Sequence, residues 1–230
     1  MRHPRVLLLV ALVLLAAGTA SAETDPRQKS EWLGGAGLLV GFPLGDFADA
    51  ADTGFGISGH GVFAPGGGVF GIRLQMDVLI YGSRSFPVVV PGTGGLITTD
   101  LTTDNWLFHF GAGPQVQARS GPVRPYAYAL AGVGYFSTDT TLEDDYGYSG
   151  YTSTNYEDTT FAWSAGGGLL IPVSKAVLVD IGVHYVGNGT VSYLAEGDLR
   201  PSMGDRPPVI IPRQSEANVL ALTIGVSFGH

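Results

Sequence analysis

The sequence predicts an all-β protein: an eight-stranded antiparallel up-and-down transmembrane β-barrel, with short periplasmic turns at one end and four long extracellular loops at the other. Three observations carry this expectation. Alternating segments recur along the chain, most of them 11 to 14 residues long; soluble strands average nearer ~5–6 residues, whereas a membrane crossing needs ~9–11. The connections between these segments alternate long and short, as in an up-and-down membrane barrel. Charged residues make up 14% of the chain against 45% hydrophobic, and a soluble domain carries ~25% charged residues.

The first 22 residues stand outside the barrel. Arg2 and Arg5 form a basic start, Val6 to Ala17 is an uncharged apolar run, and Ala20-Ser21-Ala22 supplies small residues for cleavage. This is the secretory signal pattern, too short to span a bilayer as a helix. Residues 1–22 are therefore expected to be removed, leaving residues 23–230 as one domain. Losing two arginines takes the net charge from −8 to −10, which argues against a nucleic-acid partner. Cysteine is absent, so neither a disulfide framework nor a thiolate metal site is available. The 35 glycines, 10 tyrosines and 11 phenylalanines disfavour helices and suit strands and turns.

The expected strands run from Trp32 to Phe42, Gly54 to Ala64, Val69 to Tyr81, Asp104 to Arg119, Val123 to Phe136, Thr160 to Ile171, Lys175 to Gly187 and Ala217 to Phe228. The connections Pro43–Thr53, Gly82–Thr103, Ser137–Thr159 and Asn188–Glu216 are long, at 11, 22, 23 and 29 residues. Those at Pro65–Gly68, Ser120–Pro122 and Pro172–Ser174 are tight turns. Gly66-Gly67-Gly68 and Gly166-Gly167-Gly168 are not phosphate loops, since neither opens a helix. The first is a turn, and the second relieves crowding in a curved strand.

Within each strand, successive side chains face opposite sides. In strand three, Ile72, Leu74, Met76, Val78 and Ile80 oppose Arg73, Gln75 and Asp77; in strand seven, Val177, Val179, Ile181, Val183 and Tyr185 oppose Asp180 and His184. A barrel of eight strands has an interior just wide enough for side chains. The apolar faces are mostly large and the other faces mostly Gly, Ala, Ser and a few polar groups. Volume therefore assigns the apolar faces to lipid. Aromatic residues near strand ends are expected to form interfacial girdles: Trp32, Phe63, Trp106, Tyr126, Phe136, Trp163, Tyr185 and Phe228.

The terminal run from Val219 to Phe228, Pro43-Leu44-Gly45-Asp46-Phe47, Arg124-Pro125-Tyr126-Ala127-Tyr128 and Gly132-Val133-Gly134-Tyr135 resemble segments of small outer-membrane β-barrels of the opacity-protein and outer-membrane protein W type. The resemblance extends over the whole mature chain. It implies an outer-membrane location in a Gram-negative cell and insertion by a barrel-assembly machinery that reads a terminal aromatic. Here Gly229 and His230 follow that aromatic, Phe228.

The inward faces carry a polar cluster of His60, Arg73, Asp77, His109, Gln115, Asp180 and His184. Buried charges require partners, and Arg73 is long enough to reach Asp180 across the lumen. The cluster is expected to be structural. Its ligand-type residues are scattered over four strands without metal-ligand spacing, and no serine stands beside a histidine and a carboxylate in a nucleophile context. The third long connection holds Asp139, Glu143, Asp144, Asp145, Glu157 and Asp158 with no Lys or Arg. Carboxylate oxygens suit hard cations such as Ca²⁺, but the Asp-x-Asp-x-Asp-Gly ligand loop is missing, and a solvated loop is the simpler expectation.

These observations lead to a non-enzymatic outer-membrane protein, without cofactor or metal, that works through its extracellular loops. Its expected partners are outer-membrane lipids, lipopolysaccharide and the assembly machinery, the loop ligand being unknown. Two alternatives remain: a narrow passive, porin-like channel for small or hydrophobic solutes, and a soluble periplasmic barrel that binds a ligand inside.

Overall fold

In the computed structural model, the described residues are 31–89, 98–143, 149–193, 199–200, 209–210 and 213–229. The proposed signal segment, residues 1–22, lies outside them. The strands in chain order are β1 (Glu31–Leu44), β2 (Gly54–Ala64), β3 (Phe70–Val89), β4 (Thr98–Gln117), β5 (Arg124–Glu143), β6 (Ser149–Pro172) and β7 (Val177–Asn188). Then come β8 (Thr190–Tyr193), β9 (Leu199–Arg200), β10 (Val209–Ile210), β11 (Arg213–Glu216) and β12 (Asn218–Gly229). Eight of them close into a barrel in the order β1-β12-β7-β6-β5-β4-β3-β2. Every neighbouring pair is antiparallel, and β12 against β1 seals the sheet, with Leu33 opposite Gly229 and Leu44 opposite Asn218. Closure leaves no free edge across the membrane-crossing part, so each backbone N–H and C=O there can find a partner without water.

Tight turns join the strands at one end. Gly66 and Gly67 both have φ of 61°, a conformation L side chains avoid. Close approach sets another glycine position: a Cβ on Gly225 would collide with the backbone of Ala36 and Gly37 across the β1–β12 seam.

At the other end the wall is uneven, which corrects two of the expected loops. β3 and β4 continue their ladder to Val89 and Thr98, and β5 and β6 continue to Glu143 and Ser149. Much of the expected 22- and 23-residue connections is thus strand. Alternating threonine, valine and tyrosine in these stretches suit a pleated surface, and the tall hairpins pair with one another across β4 and β5 up to Asp100 and Glu143. β3, β4 and β5 have 20 residues and β6 has 24, whereas β2, β7 and β12 have 11 or 12. At ~3.3 Å per residue, and after ~11 residues for a crossing, this wall runs on for roughly 30–40 Å along the strand direction. The last connection contributes two short ladders, β8 with β11 and β9 with β10.

The outer face of the barrel is apolar. Leu38, Phe55, Ile57, Ile72, Leu74, Ile181, Leu222 and Ile224 all stand exposed, Leu38 at 66%. Trp32 and Phe63 pack ring to ring at one rim, and Trp163 and Tyr185 at the other. Trp106 and Phe228 share the outward parity of their strands. Tyr126 and Phe136 do not face out: they are 3% and 1% exposed and lie inside, which corrects their assignment to the girdle. On β5 both faces are apolar, so alternation alone does not orient it. The register settles it, placing Tyr126 opposite Gln117 and Tyr128 opposite Gln115, and leaving the small Ala127, Ala129 and Ala131 outside.

Candidate functional site

All seven residues of the expected polar cluster lie inside the barrel, and six are buried, His60 being nearly so. They divide around two carboxylates. Asp77 on β3 accepts from Ser58 Oγ at 2.6 Å and from Gln75 Nε2 at 2.9 and 3.1 Å. His109 Nδ1 and His184 Nε2 each lie 3.3 Å from its Oδ2, although the His184 approach lacks hydrogen-bond alignment. Asp180 on β7 accepts from Tyr126 Oη at 2.7 Å and from Ser227 Oγ at 3.1 Å, with His60 Nε2 3.6 Å away.

Arg73 does not cross to Asp180, contrary to the expectation. Its Nε donates to Gln75 Oε1 at 2.8 Å and its Nη1 to Gln115 Oε1 at 2.9 Å, while the guanidinium lies 4.3 Å above the Tyr128 ring. The aromatic rings of β5 occupy the space between, so Arg73 meets a quadrupole and two amides rather than a carboxylate. Gln115 passes the chain on to Gln117 at 2.6 Å.

Small residues make room for this network. A Cβ on Gly168 or Gly182 would lie 2.6 or 2.8 Å from Tyr126 Oη, and one on Gly35 would meet Ser227 Oγ and the His60 ring. Within Gly166–Gly168, where crowding was expected, Gly168 clears the way for Tyr126 to Asp180 and Gly166 makes room for His184. Ser58, Gln75, Tyr126, Tyr128 and Ser227 join the network without having been expected in it. Gln75 and Ser227 share the inward parity of their neighbours, a signal that could have found them; Tyr126 and Tyr128 sit on the strand whose two faces look alike.

Above the polar layer the lumen closes with an apolar plug. Phe47, from a 3-10 turn at Gly45–Asp49 in the first long connection, is fully buried against Tyr81, Phe136 and Tyr193, with ring centroids 5.0 to 6.2 Å apart. Leu39, Leu79, Leu107 and Val219 complete it.

Ser227, His60 and Asp180 converge inside the barrel, a meeting that the sequence did not anticipate. Their geometry is not that of a nucleophile. The Ser227 hydroxyl donates to Asp180, and the serine and the acid both approach the same ring nitrogen of His60; an activated serine gives its proton to a histidine oriented by the acid through its other nitrogen. The adjoining cavity, of about 20 Å³, has room for one water and no substrate. Among the described residues, no group of three or more His, Cys, Asp or Glu is arranged to hold a metal ion.

The acidic stretch is not a loop either. Asp139 and Glu143 belong to β5, and Glu157 and Asp158 to β6. Asp158 accepts from Ser192 N at 2.8 Å, tying β6 to β8, and Glu157 accepts from Tyr135 Oη at 2.8 Å. Asp144 and Asp145 lie outside the described residues.

An apolar belt around a closed wall, aromatic rims and a charged interior together define a transmembrane β-barrel of the outer-membrane type. No protein-family model and no curated protein matches the chain. Solved structures similar to it include Ail, the attachment invasion locus protein of Yersinia pestis, at 13% identity over 88% of this chain and 99% of that one, with a TM-score of 0.48. The outer-membrane protein OprG of Pseudomonas aeruginosa is 12% identical over 88% and 97% of the two chains, with a TM-score of 0.47. A major outer-membrane protein of Thermus thermophilus is 13% identical over 87% and 99%, with a TM-score of 0.45.

Proposed function

We propose that this chain is an integral outer-membrane protein of a Gram-negative cell, without catalytic activity, whose barrel is a rigid pedestal for the tall extracellular wall of β3 to β6. It is exported through a signal cleaved after Ala22 and inserted by the barrel-assembly machinery. The lumen cluster is a structural plug, and the wall is the surface that meets lipopolysaccharide and further partners outside the cell.

One observation carries this reading: the polarity of the barrel is inverted relative to a soluble protein. Arg73, Asp77 and Asp180 are buried inside while Ile72, Leu74 and Ile181 are exposed outside. A soluble carrier would reverse that arrangement. The apolar plug at Phe47 and the side chains crossing the middle disfavour a channel, and the Ser227 geometry disfavours hydrolysis.

Heat-modifiability of the membrane fraction tests the proposal. The unboiled protein is expected to migrate as a compact species that shifts on boiling, and to need detergent for extraction. Release by salt or urea alone would overturn it. Planar-bilayer recordings are expected to show no conductance steps above background.

A further inference from the structure

We propose that the short-turn mouth of the barrel binds small amphiphilic oxyanions: molecules with a carboxylate or phosphate head on a short apolar body. The mouth holds a cavity of about 310 Å³, within the ~300–1,000 Å³ of small-molecule sites. Arg119, Arg124 and Lys175 line it, and Glu31 is the one acid among its described lining residues. That acid is already engaged, since Arg119 Nη2 lies 2.6 Å from Glu31 Oε1. Arg124 Nε is buried and has no hydrogen-bond partner. A buried charged donor without an acceptor is unfavourable, and a guanidinium fork matches the two oxygens of a carboxylate or phosphate.

The rest of the lining sets the second half of the ligand. Leu33 borders the cavity half-buried and packs against the buried Leu170 and Leu178, so a bare inorganic ion would leave this apolar edge unused. The opposite mouth is closed by Phe47 and its ring partners, so the ligand enters from the short-turn side. The site does not depend on which compartment that side faces, and its failure would leave the outer-membrane reading intact.

Two sources fit the chemistry, a free short-chain acid and the carboxyl end of a peptide. Calorimetric titration of the mature protein in a non-ionic detergent, at low ionic strength, separates them with hexanoate and N-acetylleucine; inorganic phosphate serves as the head alone and N-acetylleucinamide as the uncharged body. At least one acid is expected to bind saturably and more tightly than phosphate, and the amide not at all. The tighter acid names the source. Arg124→Gln is expected to weaken binding at least fivefold and Lys175→Gln, an exposed side chain, two- to threefold. Absence of saturable binding by both acids, equal binding of the amide, or affinity undiminished in the variants would overturn the site. If Arg124→Gln fails to give the heat-modifiable form, Lys175→Gln decides alone.

Discussion

The two faces of β3 sit one residue apart and live in opposite solvents. Inward, Arg73, Gln75 and Asp77 are buried and each is hydrogen-bonded. Outward, Ile72, Leu74 and Met76 are exposed, with hydrocarbon as their solvent. In a soluble domain the hydrophobic effect packs the core. Here the membrane takes the apolar face, and the interior is left to partner its own charges. The difference teaches that the two faces are stabilised by different means: pairing inside, transfer to lipid outside.

The largest test of that contrast is Asp77→Ala. It removes the acceptor for Ser58 and Gln75 and strips His109 and His184 of their nearest acid, at an expected cost of about 3–5 kcal/mol. Urea unfolding in lipid vesicles measures it, and a loss as small as that of an exterior Met76→Ala change would break the comparison. Next comes the exterior. Ile181→Arg or Leu222→Arg near the midplane is expected to cost ~2–4 kcal/mol in lipid, and the penalty should fall when the same protein is held in a thin or water-permeable micelle. A cost that does not depend on the lipid would place those side chains in a packed core.

A subtler interior change sharpens the picture. Gly182→Ala places a methyl against the Tyr126 hydroxyl where it passes to reach Asp180. The expected loss is ~1–3 kcal/mol, that of a buried hydrogen bond broken on one side, and Tyr126→Phe in the Gly182→Ala background should add little further. Full additivity of the two changes would show that they act separately. The smallest effect belongs to the tall wall. Asp104 on β4 lies directly opposite Asp139 on β5, and like charges in that position repel. Asp104→Asn is expected to stabilise by ~0.2–1 kcal/mol at low ionic strength, with the gain fading in salt. A destabilising result would mean that the pair is held by something other than repulsion.

These cases show where a single sequence is legible. On β3 and β7 one face is bulky and the other polar, so period-two alternation yields both the strand and its orientation, and hence the inward placement of Arg73, Asp77, Asp180 and His184. On β5 the alternation between Tyr126, Tyr128 and Leu130 on one side and Ala127, Ala129 and Ala131 on the other holds no polarity contrast. Alternation therefore leaves Tyr126 free to be placed at the rim, and Arg73 free to be paired with Asp180, although the rings of β5 stand between them. The tall hairpins look like loops in the sequence because acidic and glycine-bearing stretches resemble turns, whereas cross-strand pairing of Thr, Val and Tyr carries the ladder through them.

The sequence by itself determined the number of membrane crossings, the sense of the apolar face and most of the charged interior, because these follow from local period and residue size. Tertiary structure alone decided which partner each charge takes, that Ser227 meets His60 and Asp180, that Phe47 folds back to seal one mouth, and that the Arg124 Nε is left without an acceptor at the other. Those are contacts between strands far apart in the chain, fixed by register and by the gaps glycines leave, and no spacing within one segment encodes them.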